Sequence, residues 1–185
     1  MSYIKGNTIQ MNRSESFSSF LFLTGFMGVG KTYYGHKVGE RLQIPALDLD
    51  REIERYEDSS VTDIFDKKGE AYFRKLETDL LSSILYNYTP PVVVSLGGGT
   101  LMNSALIPLV KNHGLLVCLQ QNSFLTSQST FENRPLLGSK NVRILFQERM
   151  SGYSAAHACI RVDMLTQKEL VLRLINHWKL HEKAR

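Results

Sequence analysis

GFMGVGKT, residues 25–32, fits the phosphate-binding loop pattern GxxxxGK[ST] without interruption. It follows the apolar run FLFL at residues 20–23 and precedes a stretch in which Tyr34, Val38 and Leu42 recur every four residues. This context predicts a strand, a loop and a helix, the setting in which such a loop holds the phosphates of a nucleoside triphosphate. A glycine-rich turn that matches by chance is the alternative, but it does not account for the flanking elements.

The residues of this loop suit the chemistry of phosphate binding. Gly25, Gly28 and Gly30 let the backbone curl so that successive N–H groups point at phosphate oxygens. Lys31 adds a positive charge for the β- and γ-phosphates, and Thr32 offers a hydroxyl to Mg²⁺. The helix that follows presents its positive end to the same anion.

Length and charge limit the other possibilities. The chain has 185 residues, enough for one domain, and we expect a tail at 1–16 before a single domain at 17–185. Lys and Arg outnumber Asp and Glu by 22 to 18, which suits an anionic small substrate. No RNA- or DNA-binding motif accompanies this surplus, and no apolar run is long enough for a bilayer span. We therefore predict a cytoplasmic protein, monomeric because no unexplained apolar stripe is left over, that binds neither nucleic acid nor membranes.

Apolar runs of strand length alternate with segments long enough for helices. They lie at 20–26, 46–49, 92–96, 115–119 and 159–163. The alternation predicts a parallel sheet covered by helices on both faces. Cys118 and Cys159 lie in two of these runs, which predicts two buried free thiols.

The last helix has the strongest pattern. Thr166 and Glu169 form a capping-box pattern that fixes where it begins. Its apolar face is predicted to consist of Leu170, Val171, Leu174, Ile175 and Trp178.

Residues 121–141 break the alternation, because they are mostly polar and have few periodic apolar positions. Such a segment is either a lid or a disordered surface excursion. Arg134, next to Pro135, favours a lid, since a segment that closes over a nucleotide can bring charge to the transferring phosphate.

Two short motifs offer charged groups for a second substrate. Asp48 and Asp50 close the second strand, where alternate residues of an extended chain point the same way, although strand-end or helix-capping aspartates would look alike. Arg74 and Glu77 lie three apart on one helical face, a spacing that can orient a guanidinium for a carboxylate. The same spacing also occurs in exposed ion pairs of little consequence.

A third motif offers backbone groups. Gly97, Gly98 and Gly99 follow the third strand and expose N–H groups at close range. A plain strand-to-helix turn rarely needs three consecutive glycines, so this run favours a ligand site.

Taken together, the chain resembles the shikimate kinase family in motifs that occur in this order: GFMGVGKT, ALDLD, DIFDKKGEAYFRKLE, SLGGGT, NRPLL and ERMSGY. The resemblance implies a three-layer α/β/α P-loop kinase fold with a five-stranded parallel sheet in the order 2-3-1-4-5 and a mobile lid. It also implies transfer of the ATP γ-phosphate to the 3-hydroxyl of shikimate, giving shikimate 3-phosphate and ADP.

The resemblance further implies roles on the nucleotide side. ATP would be bound by Gly28, Val29, Gly30, Lys31, Thr32 and Tyr33. Mg²⁺ would be held by Thr32 and Asp48. Three residues would act in catalysis: Lys31 on the phosphates, Asp50 as the base at the acceptor hydroxyl, and Arg134 as the lid arginine.

On the acceptor side, Arg74 and Arg149 resemble the family's clamp on the shikimate carboxylate, which Glu77 steadies. Asp50 would contact the acceptor hydroxyls, and backbone donors would come from Gly97, Gly98 and Gly99. Phe65 and Phe73 resemble the apolar wall of the acceptor pocket.

One position departs from the family pattern. Ser127 stands where the family usually has an arginine that packs on adenine, so the sequence leaves adenine recognition open. Two other functions also remain open: a kinase for another hydroxy acid or sugar acid such as gluconate, and a nucleotide-binding regulatory module without catalysis. The acceptor motifs favour the shikimate kinase hypothesis over both.

Overall fold

The sheet has five parallel strands in the order β2-β3-β1-β4-β5, as predicted. The computed structural model describes residues 17–121 and 142–185. The strands are β1 Phe20–Gly25, β2 Ala46–Asp48, β3 Val92–Ser95, β4 Gly114–Gln120 and β5 Ala158–Arg161. Leu21 of β1 is in register with Val93 on one side and Leu115 on the other, so β1 lies at the centre.

The helices lie on both faces of this sheet, which makes the fold a three-layer α/β/α arrangement. They are α1 Lys31–Leu42, α2 Leu49–Glu57, α3 Val61–Asn87, α4 Leu106–His113, α5 Val142–Ser154 and α6 Gln167–Ala184. Short 3₁₀ turns occur at Thr100–Met102 and Val162–Met164. Within 17–121 and 142–185, none of the helices is both long and apolar enough to cross a bilayer.

Apolar side chains of β1 point alternately into two cores. On one face, Phe20 and Phe22 pack with residues of α2, α3 and α4. On the other, Leu21 and Leu23 pack with residues of α1 and α6. Full burial on both faces explains why the central strands read as continuous apolar runs in the sequence.

The last helix follows its prediction closely. The Thr166 hydroxyl accepts a hydrogen bond from the Glu169 N–H (3.3 Å), and the Glu169 carboxylate accepts one from the Thr166 N–H (2.8 Å). The predicted apolar face is buried, with Trp178 completely so. The capping box therefore sets the start of α6, and the packed face holds it on the sheet.

Cys159 is exposed, so the prediction that both cysteines are buried is wrong for this residue, although Cys118 is buried. β5 is an edge strand, and the apolar run that contains Cys159 does not reveal which of its side chains remain uncovered. Arg134 and Ser127 lie outside the described residues, together with the predicted tail at 1–16 and the predicted lid except Gln121.

A histidine pair lies at the amino end of β5. The ring centroids of His157 and His181 are 5.0 Å apart, and Nδ1 of His157 accepts a hydrogen bond from the Leu116 N–H (3.0 Å). Burial, followed by the charges of Lys111 and His181, lowers the pKa of His157. Burial, followed by the charge of Arg185, lowers the pKa of His181. The folded protein therefore favours neutral rings.

This pair should make the protein less stable in mild acid. Both pKa values are lowered on folding from 6.5, so the unfolded chain binds more protons than the folded one just below that pH. The stability that the two neutral histidines contribute is complete above pH 6.5 and is lost as the pH falls through their folded-state pKa values. We expect the unfolding free energy to fall by less than about 1 kcal/mol, because both rings are partly solvated. Urea midpoints at about pH 7.5 and 5.5 measure this fall. A double variant, His157→Asn with His181→Gln, should lose less unfolding free energy than the wild-type protein over the same pH change. An equal loss would show that the two histidines are not its cause.

Candidate active site

The phosphate loop joins β1 to α1 at the carboxyl edge of the sheet. Gly25, Gly28 and Gly30 all have positive φ (138°, 78° and 93°), a conformation that residues with a side chain rarely adopt. At Gly25 a Cβ atom would also lie 2.3 Å from the carbonyl oxygen of Leu119 in β4. The loop therefore curls as its sequence predicts, and its first glycine is needed for strand packing as well.

The charge of Lys31 lies within this loop. Its Nζ donates hydrogen bonds to the carbonyl oxygens of Gly25 (2.9 Å) and Phe26 (3.2 Å). Because Lys31 is also the first residue of α1, the ammonium group and the positive end of the helix dipole lie together. Both favour a phosphate at this position.

Thr32 and Asp48 are in direct contact. The Thr32 hydroxyl donates a hydrogen bond to Oδ2 of Asp48, whose Oδ1 accepts one from the Arg51 N–H (3.2 Å) and so caps α2. The capping alternative is thus correct for Asp48, and it leaves a hydroxyl beside a carboxylate. Such hard oxygen donors fit Mg²⁺, which binds through few protein ligands when substrate phosphates supply others. Across 17–121 and 142–185, no cluster of three or more His, Cys, Asp or Glu could hold a metal alone.

Asp50 lies in the first turn of α2, so the prediction that it projects from an extended strand is wrong. The Asp48 cap begins the helix at Leu49, immediately after β2 ends. The carboxylate still reaches the neighbouring strand end. Its Oδ1 lies 2.8 Å from the position that a Cβ atom on Gly97 would occupy.

The glycine segment, Gly97–Gly99, is the meeting point of the predicted acceptor residues. A Cβ atom on any of these glycines would come within 3 Å of a charged side chain from another element. The contacts are Gly97 with Asp50 and Glu77 (2.8 Å each), Gly98 with Arg149 Nη1 (2.9 Å), and Gly99 with Arg74 Nη2 (2.8 Å). The absence of side chains here allows α2, α3 and α5 to bring their charged groups to the end of β3.

Arg74 is held by carboxylates of its own helix. Its Nη1 lies 2.5 Å from Oε2 of Glu77, and its Nη2 lies 3.1 Å from Oε1 of Glu70. Glu77 is only 1% exposed and also accepts a hydrogen bond from the Thr100 hydroxyl (2.6 Å). Burial alone would lower the pKa of Arg74, but these carboxylates more than offset it and raise the pKa. Arg74 is therefore a fixed cation, not half of an exposed ion pair.

Arg149 is a buried cation with unused hydrogen-bonding capacity. It is 3% exposed, and its Nε has no hydrogen-bond partner among the described residues. Its Cζ lies 5.6 Å from the ring centroid of Phe26, and burial together with the charge of Arg74 lowers its pKa. A buried charge with an unsatisfied donor is costly, and an anionic ligand would relieve that cost.

Residues 27–179 match the family model described as shikimate kinase. The chain belongs to the shikimate kinase family. It is 34% identical to a shikimate kinase of Sulfurihydrogenibium sp., over 86% of this chain and 97% of that protein. Among solved structures, it resembles a shikimate kinase from Aquifex aeolicus (34% identity, TM-score 0.74, covering 89% of this chain and 98% of that one). It also resembles a shikimate kinase from Acinetobacter baumannii in complex with shikimate (31% identity, TM-score 0.77, covering 86% and 92%).

The site of this family member also contains polar residues that the sequence analysis missed. The Tyr153 hydroxyl donates to the carbonyl oxygen of Gly98 (2.7 Å), and burial raises the pKa of Tyr153. Thr100 binds the buried carboxylate of Glu77. A sequence signal existed for Tyr153, because it lies four residues after Arg149 and thus on the same face of α5. For Thr100, the only sequence signal was its position directly after the glycine segment.

Phe65 and Phe73 lie on either side of a break in α3. At Gly69 the backbone leaves helical geometry (φ 80°, ψ 169°), and the two ring centroids are 4.6 Å apart. Phe73 is 3% exposed within the apolar core, and Phe65 packs against that core. Arg74 lies over the Phe73 ring at 5.4 Å. Both phenylalanines therefore support the position of Arg74, and their contact with an acceptor remains a prediction.

The remaining loop residues differ in accessibility. Val29 is 2% exposed and packs in the core with residues of α1 and α6. Tyr33 is 43% exposed, and its hydroxyl donates to Oε1 of Gln167 at the start of α6 (2.7 Å). Tyr33 thus joins the phosphate-loop helix to the helix that follows β5.

Proposed function

We propose that the protein is a shikimate kinase, which transfers the γ-phosphate of ATP to the 3-hydroxyl of shikimate and gives shikimate 3-phosphate and ADP. The observation that carries this proposal is the convergence of Arg74, Arg149 and Asp50 on the glycine segment, next to the phosphate loop. Two cations and one carboxylate suit a small acceptor that bears both a carboxylate and hydroxyl groups. Family membership and likeness to a structure that holds shikimate support the same assignment.

For the acceptor, we assign its carboxylate to the guanidinium groups of Arg74 and Arg149. Glu77 holds Arg74 in place, and Nε of Arg149, which has no hydrogen-bond partner among the described residues, would supply the second contact. The backbone of Gly97–Gly99 would add N–H donors at short range. Asp50 would bind the acceptor hydroxyls on the side that faces the phosphate loop.

For the donor, we assign the phosphates to the loop backbone and to the Lys31 ammonium. When ATP binds, Lys31 would give up its hydrogen bonds to the Gly25 and Phe26 carbonyl oxygens and donate instead to phosphate oxygens at a similar distance. Bound at Thr32 and Asp48, Mg²⁺ would neutralise charge on the triphosphate. Tyr33 would border the nucleoside, because it follows Thr32 and reaches α6.

In the transfer step, the 3-hydroxyl oxygen of shikimate forms a bond to the γ-phosphorus while the bond from that phosphorus to the bridging oxygen of ADP breaks. Asp50 accepts the hydroxyl proton. Lys31 stabilises the charge that develops on the phosphoryl oxygens, and Arg134, assigned from the family motif, would add a second cation. Such catalysis depends mainly on positioning and charge neutralisation.

A monomeric state, a cytoplasmic location and a single domain at 17–185 belong to the same proposal.

A panel of acceptors tests this function directly. Purified protein with ATP and Mg²⁺ should release ADP rapidly when shikimate is added, and slowly with gluconate or without an acceptor. Faster release with gluconate would instead identify a sugar-acid kinase. Nucleotide binding without any turnover would identify a regulatory module.

Gly98→Ala should weaken acceptor binding without unfolding the protein. The new Cβ would lie 2.9 Å from Nη1 of Arg149 and 3.6 Å from the nearest backbone atoms, so the flexible guanidinium must move. We expect the KM for shikimate to rise about tenfold, because a charge-assisted hydrogen bond is distorted, while the KM for ATP changes little. Gly69→Ala is a contrasting variant, since its Cβ meets no atom of the described part of the chain within 4 Å and only its positive φ is strained. An acceptor KM unaffected by Gly98→Ala would place the carboxylate away from Arg149.

A further inference from the structure

Two cysteines lie side by side in the sheet. Cys118 of β4 and Cys159 of β5 are direct partners in the parallel register, so their side chains share one face. Neighbouring strands lie about 4.8 Å apart, which falls within the Cα separations of about 4.4–6.8 Å that disulfides span. The thiols also influence each other, because the neighbouring Cys159, after burial, contributes to the raised pKa of Cys118.

We propose that Cys118 and Cys159 are a thiol-modification site, which small disulfides such as oxidised glutathione convert to an intramolecular disulfide that weakens nucleotide binding. One thiol is accessible and the other is not: Cys159 is exposed, whereas Cys118 packs with Phe26, Leu145 and Tyr153. Oxidation must therefore begin at Cys159.

The exchange takes two steps. The Cys159 thiolate attacks one sulfur of oxidised glutathione, the S–S bond breaks, and one glutathione leaves as a thiolate that takes up a proton. The Cys118 sulfur, after losing its proton to solvent, then attacks the Cys159 sulfur and displaces the second glutathione. The protein loses two electrons and two protons, and one small disulfide becomes two thiols. Burial, followed by Cys159, raises the pKa of Cys118 to about 12, so this second step should be the slow one.

The pair is coupled to the phosphate loop through β1. Cys118 is in register with Thr24, and the next residue, Leu119, is in register with Gly25. Gly25 has no room to adjust, because even a Cβ atom would lie 2.3 Å from the Leu119 carbonyl oxygen. The Gly25 carbonyl oxygen in turn binds Lys31. A disulfide that changes the spacing between β4 and β5 would thus displace the strand against which the loop is packed.

The test uses the full chain, incubated with oxidised glutathione and then assayed for mass, free thiols and binding of a non-hydrolysable ATP analogue. We expect the mass to fall by two hydrogen atoms, both thiols to disappear and the Kd for the analogue to rise about tenfold, with full recovery in dithiothreitol. Cys159→Ser should keep its single thiol and its affinity under the same treatment. Cys118→Ala should stop at the mixed disulfide and keep an affinity close to that of the untreated variant.

Two results would overturn the proposal. One is a treated wild-type protein that keeps two free thiols or retains one glutathione on Cys159. The other is an intramolecular disulfide that leaves the affinity for the analogue unchanged. The thiol and mass readouts do not depend on the acceptor, so failure of this inference is distinguishable from failure of the proposed kinase activity.

Discussion

Asp50→Asn should lower kcat about 10³-fold, within the range of about 10² to 10⁴ that general bases contribute, and leave the Kd for shikimate nearly unchanged. The amide has the size of the carboxylate and can still hydrogen-bond an acceptor hydroxyl, but it cannot accept the proton that the hydroxyl loses. Kinetics should therefore separate binding from chemistry, with the loss confined to the transfer step. Rapid-quench measurement of a single turnover gives that step directly.

Glu52→Gln is the matched control for this variant. Glu52 also lies in the first turn of α2, where it pairs with Arg55, so its removal changes the charge at the same helix end without touching the glycine segment. It should retain nearly full activity. If Asp50→Asn and Glu52→Gln reduced the rate equally, the loss of rate would come from removing a negative charge near the start of α2, and not from losing a catalytic base.

Arg149→Met should raise the KM for shikimate about 100-fold or more, since truncating one partner of a buried charge pair costs at least about 2–5 kcal/mol. The KM for ATP should stay within about threefold, because we assign Arg149 to the acceptor carboxylate and not to the phosphates. Methionine keeps an apolar stem against Phe26 and removes a buried cation whose Nε has no hydrogen-bond partner within 17–121 and 142–185. The unfolding free energy should consequently be unchanged or higher.

Arg143→Met controls for the loss of a positive charge from α5, since Arg143 lies on the same helix and is exposed. It should leave both KM values unchanged. An Arg149→Met enzyme with a normal acceptor KM would show that Arg149 does not bind the acceptor carboxylate. Arg149→Lys should recover only part of the binding, because an ammonium lacks the planar fork of a guanidinium.

The fold could be predicted from sequence because its signals are local and mutually consistent. The phosphate loop requires a strand before it and a helix after it, and the runs at 20–26, 92–96 and 115–119 are mostly apolar, as strands buried on both faces require. Thr166 and Glu169 mark the start of α6 by hydrogen bonds that depend only on residues three apart. None of these features needs contacts between distant parts of the chain.

The site was predicted less completely because its geometry depends on such distant contacts. Whether Asp50 extended a strand or began a helix depended on the Asp48 cap, a choice that the motif ALDLD leaves open. The exposure of Cys159 depends on which strand lies at the edge of the sheet. Tyr153 enters the site only because α5 packs against the segment that follows β3. The spacing of Arg74 and Glu77 indicated their ion pair, but not the burial that makes it rigid.

The glycine segment also bears on how the protein could respond to an inhibitor. A compound that occupies the acceptor site would rest against backbone at Gly97–Gly99 and against Asp50, Arg74 and Arg149. Any side chain introduced at those glycines displaces one of the charged groups that we assign to substrate binding. Resistance substitutions in the glycine segment would therefore reduce activity directly. Resistant variants should instead have substitutions at residues that only the inhibitor contacts.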